Sequence, residues 1–303
     1  DQSDALRDFP EALQPLPCLM PLAPYGLKSK LPVRAASLMY GLAMKVCRSP
    51  LLPPTIYSSH EIETIAPTLR ELSPYGALCW HDALITRPAN IALALKSSIT
   101  RLGGIVQENS PVSEIIHESK QFRVTTKTGI SLLSKQVINA LGPWLNSIAI
   151  PSNLRGPRPA WCKGFNLIVK RQIHPTHAIG LQSSDGRLFF CVPRESHTAI
   201  GTWYVPISSV PEHPTAVSPT KIEIDAFIDA FNRACPSITL RPDDIIGSDC
   251  GVLPMRGVSP QGPVLYGSEI LHAARGYGEI VSTKYTTFRS QALRILQKVT
   301  ASA

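Results

Sequence analysis

Residues 276–293 read GYGEIVSTKYTTFRSQAL and carry the strongest local signal for the fold. The first half predicts a glycine-rich strand, and the second predicts a final helix that begins near Thr286. Free N–H groups and the positive end of a helix dipole favour negative charge at such a junction. An ordinary alternative is that one threonine is only the N-cap. The residues placed at this junction are Thr283, Lys284, Thr286 and Thr287.

A second segment, INALGPW at 138–144, has the form of a buried strand that ends in a small residue and a glycine. Such an end lets the backbone approach a ligand closely, because Gly142 has no side chain. Since a glycine after a strand is usually only a turn, this segment is informative only together with others.

The composition is that of an ordinary globular protein. The 303 residues are 44% hydrophobic and 17% charged, which suits two interlocked domains. The formal charge is +8, but no dense Lys/Arg run with interleaved aromatics occurs, so no nucleic-acid partner is predicted. Seven cysteines without a CxxC indicate reduced thiols in a cytosolic protein. The histidines form no HExxH and no Cys/His cluster, so no metal is predicted.

The order of predicted elements indicates an α/β fold, α+β overall, with an inserted antiparallel sheet. Residues 1–60 read as helical pieces split by prolines. Residues 87–102 predict a helix with one apolar face, formed by Ile91, Leu95, Ile99 and Leu102. Residues 219–234 predict another, with a capping box, and the last helix is expected to pack through Ala292, Leu293, Leu296 and Val299. The predicted strands are GIVQ, VSEIIHE, FRVTTK, ISLLS, QVINALG, FNLIVKR, RLFFCVP, HTAIGTWY, DIIGSDCGVLP and PVLYGS.

Six segments together resemble the FAD-dependent oxidoreductases of the D-amino-acid-oxidase superfamily, and within it the glycerol-3-phosphate dehydrogenase branch. The resemblance runs from about residue 70 to the end of the chain. No single segment is specific, but all six occur in the family's order. They are HDALITRPANIALALKSSITRLGGIV (81–106), VINALGPW (137–144), CKGFNLIVKR (162–171), SDGRLFFCVPRESHTAIGTWY (184–204), DDIIGSDCGVLPM (243–255) and VSTKYTTFRSQAL (281–293).

The resemblance implies a domain organisation and an activity. An FAD-binding Rossmann-like domain, residues 81–150 and 251–303, is interrupted by a substrate domain with an antiparallel sheet, residues 151–250. Residues 1–80 form a helical, proline-rich connecting or cap region. The implied activity is hydride transfer to flavin from a small hydroxy- or amino-bearing substrate, with an anionic substrate as one option.

The resemblance also assigns site residues. Arg187 is placed toward the substrate, or else it is a turn residue of the solvated hairpin Ser184–Arg187. Asn166 stands at the family's base position, and Arg256 is a candidate to hold an anionic group. The residues implied around FAD are Val112 near the adenosine half, Ala140, Gly142 and Trp144 at the flavin's approach, and Thr283, Lys284, Thr286 and Thr287 at its pyrimidine edge.

The chain departs from the family pattern in four places. No strand, GxGxxG turn and helix occur near residue 1. Asn166 replaces a histidine and has no useful pKa for proton abstraction. Leu253 replaces the phosphate-binding arginine, and Arg256, three residues on in a regular strand, faces the other side. Ser282–Thr283 and Trp203–Tyr204 replace further motif residues. Glycerol 3-phosphate is therefore not the predicted substrate.

Three hypotheses about function remain open. The chain is an FAD-dependent dehydrogenase or oxidase, or a truncated or decayed family member without catalysis that acts as a binding or structural protein. The third hypothesis is a membrane-associated enzyme that passes electrons to quinone, located in the cytoplasm at the inner membrane face. Only residues 31–47 support this third hypothesis. Their apolar run, Ala35–Val46, is too short to span a bilayer and fits either an interfacial or a packed helix. The substrate, the electron acceptor and the oligomeric state stay open.

Overall fold

The computed structural model describes residues 2–212 and 217–303. Within these ranges lie fifteen strands and six α-helices, joined by turns, loops and short 3-10 segments. The strands are β1 (Leu13–Pro21), β2 (Thr55–Tyr57), β3 (Ala77–Ile85), β4 (Val112–Glu118), β5 (Gln121–Thr126), β6 (Ser131–Ser134), β7 (Val137–Asn139), β8 (Ala160–Val169), β9 (Ala178–Gln182), β10 (Leu188–Arg194), β11 (His197–Ile207), β12 (Ile245–Ser259), β13 (Gly262–Leu265), β14 (Ile270–Ala274) and β15 (Tyr277–Val281). The helices are α1 (Gln2–Asp8), α2 (Lys30–Val46), α3 (Ser59–Ile65), α4 (Pro88–Arg101), α5 (Lys221–Ala234) and α6 (Phe288–Ala301).

The largest sheet has nine strands in the order β13-β12-β8-β11-β10-β9-β1-β3-β2. Its pairs are antiparallel except β1 with β9. One face is covered by α5, where Phe165 and Phe189 of the sheet meet Phe227 and Phe231 of the helix in the main hydrophobic core. The capping box predicted for α5 is confirmed, since Thr220 Oγ1 accepts from the Glu223 N–H at 3.3 Å and the Glu223 carboxylate accepts from the Thr220 N–H at 2.6 Å.

Two small sheets complete the architecture. The strands β4, β5 and β6 form an antiparallel meander, and β14, β15 and β7 form the other sheet. The pair β15–β7 is parallel, with Tyr277 opposite Val137 and Glu279 opposite Asn139. The last helix, α6, contacts β14 and β15. The helix α6 thus packs on the sheet that contains β7, although about 150 residues separate the two elements, and the assignment of both to one cofactor domain stays a prediction.

The prediction of helical pieces across residues 1–60 is wrong for β1 and β2. The segment LQPLPCLMP forms β1 because it pairs with β3 along its whole length. Its prolines, which suggested helix breaks, are tolerated because the pairing with β9 involves only Cys18 and Leu19. Pro15 and Pro17 therefore lie where the strand has a free edge and needs no N–H donor on that side. The predicted strand GIVQ is also wrong, since residues 104–107 are irregular.

Two helix faces differ from the predicted ones. In α4, Ile91 is buried as predicted, but Leu95, Ile99 and the following Leu102 have exposed side chains. In α6 the buried residues are Gln291, Ile295 and Val299, so the packed face is rotated by one residue from the prediction. The cause in α6 is Gly278 of β15, whose missing side chain admits Val299 and Ile295 against the sheet.

The α/β class with a large antiparallel sheet agrees with the prediction. The predicted domain limits at 80/81 and 250/251 fall inside β3 and β12, and the nine-stranded sheet takes strands from residues 13–85 as well as 160–265. The division of the chain into domains stays a prediction.

Candidate functional site

The carboxyl ends of β7 and β15 lie side by side, because the two strands are parallel neighbours. The segments that follow them, Ala140–Asn146 and Ser282–Thr287, therefore leave the sheet at the same edge. In open α/β sheets this edge is where ligands bind. Two groups of residues that the sequence suggested separately, one around Gly142 and one around Lys284, are brought to a common location.

The backbone at Gly142 leaves open space beside this edge. Gly142 has φ +57°, and a Cβ built on it would meet no atom within 4 Å. The kinked 3-10 segment Gly142–Asn146 begins at this glycine, bends at Trp144, and contacts β15 and β12. Trp144 is fixed by its indole N–H, which donates to the Pro211 carbonyl at 3.2 Å. The edge is thus open at Gly142 and well ordered beyond it.

The segment before α6 is held by its own hydroxyl groups. Thr283 Oγ1 donates to the Tyr266 carbonyl at 3.3 Å, and Thr287 Oγ1 donates to the Lys284 carbonyl at 3.1 Å. Thr287 occupies the N-cap position, yet its side chain makes no capping bond, so the plain N-cap alternative does not describe it. Lys284 is exposed, and its Nζ has no protein partner within the described residues. The Lys284 ammonium group is available to a negatively charged ligand near the positive end of the α6 dipole, whereas the Phe288 N–H already donates to the Tyr285 carbonyl.

Val112 lies apart from this edge. It starts β4 and packs against the hydrophobic cluster of Ile115, Phe122 and Tyr277. Its predicted role near an adenosine stays a prediction.

A row of polar side chains crosses the face of the large sheet opposite α5. Phe165 and Leu167 belong to the core under α5, so Asn166 between them faces the other way. Asn166 Oδ1 accepts a hydrogen bond from Thr202 Oγ1 at 3.1 Å. Gly201 lies directly beneath, where a Cβ would overlap the Asn166 amide oxygen. Burial raises the pKa of the Tyr204 phenol, although a hydrogen bond with Thr202 opposes the rise.

Leu253 lies on the same face as Asn166. A Cβ built on Gly164 would stand 2.8 Å from Leu253 Cδ1 and 3.1 Å from Tyr204 Cε1, so these two side chains fill the space above Gly164. An apolar side chain therefore occupies the position at which the family pattern in the sequence analysis has an arginine.

An ion pair that the sequence did not suggest stands beside Asn166. Asp249 is directly opposite Asn166 in the β12–β8 register, and side chains opposite each other share a face. Asp249 Oδ2 accepts from Arg194 Nη1 at 2.6 Å. Arg194 ends β10, which is separated from β12 by β11 and β8, so this ion pair crosses two strands of the sheet.

Arg187 and Arg256 do not join Asn166. The guanidinium of Arg187 stacks on the indole of Trp203, with 3.8 Å from Cζ to the ring centroid. Trp203 packs against Phe227 of α5, so Arg187 lies on the opposite face of the sheet from Asn166. Burial lowers the pKa of Arg187, with Asp185 opposing, and its Nε has no partner in the described structure. A substrate lying on one face cannot touch both Asn166 and Arg187, and direct substrate contact by Arg187 stays a prediction.

Arg256 is exposed at an irregularity of β12. The β12–β13 register shifts between Met255 and Gly257, and Arg256 is the extra residue. It makes no hydrogen bond or ion pair within residues 2–212 and 217–303. Because the bulge interrupts the alternation of β12, the simple rule that Arg256 faces away from Leu253 does not apply.

A buried ionic cluster near the carboxyl edge was missed by sequence reasoning. Glu279 of β15 is only 3% exposed, and Arg158 binds its carboxylate through both Nη atoms, at 2.6 and 2.9 Å. Burial alone would raise the pKa of Glu279, but the hydrogen bonds from Arg158, the Gly156 N–H and Tyr277 outweigh it and the pKa is lowered. The available signal was a glutamate inside the otherwise apolar strand YGEIV.

Residues 25–281 match the family described as FAD dependent oxidoreductase. The chain belongs to this family. The resemblance inferred from the six segments is thereby confirmed.

Aerobic glycerol-3-phosphate dehydrogenases are among the curated relatives of this family member. The Bacillus subtilis protein is 25% identical over 224 residues, which cover 71% of this chain and 40% of that protein. The Staphylococcus aureus protein is 26% identical over 180 residues, covering 57% and 32%. The chain therefore spans less than half the length of these curated relatives.

Solved structures of the same fold include two enzymes that are named for different substrates. The glycerol-3-phosphate dehydrogenase from Bacillus halodurans complexed with FAD aligns with a TM-score of 0.69 and 20% identity, covering 99% of this chain and 54% of that chain. The glycine oxidase from Geobacillus kaustophilus aligns with a TM-score of 0.61 and 15% identity, covering 99% and 76%. At these identities the likeness shows the fold, and the predicted fold class is confirmed.

The described residues also bear on metal binding and on membrane insertion. No group of three or more His, Cys, Asp or Glu side chains there is arranged to hold a metal ion. None of the helices in the described ranges combines the length and the apolar character that crossing a bilayer requires.

Proposed function

We propose that this protein is an FAD-dependent oxidoreductase that oxidises a small CH–OH or CH–N substrate. The observation that carries the proposal is the parallel pair β7–β15, which brings the segments Ala140–Asn146 and Ser282–Thr287 to one open edge. The residues present fit a flavin there in two respects. Gly142 leaves the backbone open on one side, with no atom within 4 Å of where a Cβ would stand, and Lys284 with the positive end of the α6 dipole suits an electron-rich ring edge.

FAD, when bound, supplies the acceptor for the two electrons released with the substrate C–H bond. The protein's part is to orient the substrate and to stabilise charge. Lys284 and the positive end of the α6 dipole stabilise negative charge at the carboxyl edge, and Thr283 holds this segment in place through its hydrogen bond to the Tyr266 carbonyl. On the substrate side, the Nδ2 atom of Asn166 donates to a substrate oxygen, because its Oδ1 is already engaged by Thr202. Asn166 orients the substrate and does not remove its proton.

Glycerol 3-phosphate is a poor fit to the face around Asn166. Leu253 offers no charge to a phosphate. Asp249 adds a carboxylate to this face, and the positive charge of Arg194 is already neutralised by its ion pair with Asp249. A charge-assisted hydrogen bond contributes about 1.5–3 kcal/mol. Loss of one such bond reduces the rate by roughly ten- to a few-hundredfold, at about 1.36 kcal/mol per tenfold.

The test is anaerobic flavin bleaching by glycerol 3-phosphate in the FAD-loaded protein from its complete natural reading frame. The double variant Leu253→Arg with Asn166→His should be bleached faster than the unmodified protein. Rapid bleaching of the unmodified protein would overturn the substrate assignment, with Arg256 as the first residue to test as a phosphate ligand.

A peripheral contact with an anionic membrane is a second part of the proposal, and α2 supports it. Leu31, Leu38, Leu42 and Val46 of α2 are 64–84% exposed. Residues 12–60 contain no Asp or Glu but five basic residues, namely Lys28, Lys30, Arg34, Lys45 and Arg48. A helix that combines an exposed apolar side with basic residues binds the interface of anionic bilayers. Electron transfer to a membrane quinone would follow from such a location.

Co-sedimentation with vesicles tests this contact. The protein should sediment with phosphatidylglycerol-containing vesicles and less with pure phosphatidylcholine, and Leu42→Glu should weaken the binding. Ile222→Glu is the matched control, since Ile222 is 81% exposed on α5. Equal effects of the two variants, or no binding to anionic vesicles, would contradict the membrane contact while leaving the flavin proposal intact.

A further inference from the structure

The carboxylate of Glu279 is the centre of a buried, fully paired cluster. It accepts from Arg158 Nη1 and Nη2 at 2.6 and 2.9 Å, from the Gly156 N–H at 2.9 Å and from the Tyr277 hydroxyl at 2.9 Å. Tyr277 OH in turn accepts from Asn139 Nδ2 at 3.0 Å. Glu279, Tyr277 and Asn139 are at most 4% exposed. A two-pronged Arg–carboxylate pair with this many partners fixes geometry as well as adding energy.

The cluster holds both ends of the kinked 3-10 segment Gly142–Asn146. At the start, Asn139 Oδ1 accepts from the Leu141 N–H at 3.1 Å. At the end, Arg158 Nε donates to Asn146 Oδ1 at 2.8 Å. One network therefore sets where this short helix begins and where it ends, and the helix includes Gly142, beside which the edge is open.

We infer that Glu279 and Arg158 are positioning residues for the flavin site, acting through the segment Leu141–Asn146. The inference rests on the proposed function, because it assumes that a flavin occupies the edge at Gly142. Neither side chain needs to touch the cofactor. The pair keeps the backbone of residues 141–146 clear of the space that the ring system would occupy.

Glu279 and Arg158 can hold the segment Leu141–Asn146 in place because both groups are charged. Removing the Glu279 charge would leave a half-buried guanidinium without its partner, so Arg158 would turn toward solvent and release Asn146. A lysine at position 158 would keep the charge, but it cannot reach Glu279 and Asn146 at once, because it lacks the planar fork. The segment 141–146 would then move independently of β15.

Three variants of the complete protein test the inference, with two readouts. Glu279→Gln, Arg158→Lys and Asn146→Ala should each raise amide hydrogen exchange in residues 141–147 of the FAD-free protein. The same variants should raise the Kd for FAD, measured by quenching of flavin fluorescence, about tenfold for Glu279→Gln and severalfold for the other two. Asn146 is exposed, so Asn146→Ala should fold normally and decides the question if Glu279→Gln does not fold.

Two control variants separate positioning from general stability. Glu118→Gln breaks a similar two-pronged pair with Arg123, at 2.8 and 2.9 Å, on the β4–β5 pair. Phe231→Leu lowers Tm through the core under α5. Both should leave the exchange of residues 141–147 and the Kd for FAD within about twofold.

The inference is overturned if exchange in residues 141–147 does not change in the three test variants. It is also overturned if Phe231→Leu weakens FAD binding as much as Glu279→Gln at an equal loss of Tm. If the unmodified protein takes up no FAD, the proposed function fails, and the exchange data alone decide whether the pair positions the segment.

Discussion

Replacing Gly201 with alanine should damage the face around Asn166 specifically. A Cβ at Gly201 overlaps Asn166 Oδ1 and stands 2.6 Å from Asn166 Cγ and 3.1 Å from its Cβ. The clash involves the base of the side chain as well as its tip, so the amide must leave its rotamer. We expect Gly201→Ala to destabilise the protein and to weaken substrate binding more than FAD binding.

The magnitude follows from the contacts that are lost. The hydrogen bond from Thr202 to Asn166 contributes about 1 kcal/mol, and a displaced rotamer costs about 1 kcal/mol. A total of about 2 kcal/mol lies within the usual ~1–3 kcal/mol for overpacking. For a chain of 303 residues this corresponds to a fall in Tm of roughly 3 °C. Thermal unfolding followed by circular dichroism measures it.

A double-mutant cycle gives the sharper result. Asn166→Ala removes the group with which the new methyl clashes, so the double variant should be less destabilised than the sum of the two single variants, by about 1 kcal/mol. Gly251→Ala is the control, because a Cβ there meets nothing within 4 Å. If Gly201→Ala is as stable as Gly251→Ala, or if the two effects simply add, Asn166 does not lie over Gly201 and the description of this face is wrong.

Three further predictions concern other parts of the fold. Thr220→Ala should cost about 1 kcal/mol in chemical denaturation, because it removes the N-cap of α5, whereas Thr220→Ser should cost little. Gly278→Ala should lower Tm, since its Cβ overlaps Val299 and crowds Ile295 at 3.1 Å, and an unchanged Tm would argue against the packing of α6 on β15. Glu279 should make stability depend on acid: its folded pKa lies below the unfolded value near 4.5, so its contribution is complete above that value and is lost as pH falls through the folded pKa. Urea unfolding between pH 7 and pH 3 should therefore show a steeper loss for the unmodified protein than for Glu279→Gln, and parallel curves would contradict the lowered pKa.

The sequence predicted best where a pattern is local. The α5 capping box needs only Thr220 and Glu223, three residues apart, and it forms as expected. The strands β4, β5 and β6 follow one another with turn residues between them, so periodicity sufficed to predict them. The common edge of β7 and β15 could be predicted only from the family resemblance, because the two strands are far apart in sequence.

The sequence failed where distant contacts decide. The strand β1 contains prolines that normally end regular structure, and only its pairing with β3 on one side and its largely free edge toward β9 on the other show why they are tolerated. Whether Arg187 faces the substrate or α5 depends on its stacking with Trp203, and an isolated DGR turn carries no sign of that contact. Arg158 and Glu279 are 121 residues apart in sequence. A charged residue within an apolar strand indicates that it has a partner, but the sequence does not show which residue that partner is.

The visible absorption spectrum of the purified protein, expressed from its complete natural reading frame, tests the central claim most directly. The proposed function predicts a yellow protein with the absorption bands of oxidised flavin, and the released cofactor should be FAD by chromatography. A folded protein that is colourless and takes up no added FAD would contradict the claim, and it would favour a family member that binds partners without catalysing oxidation.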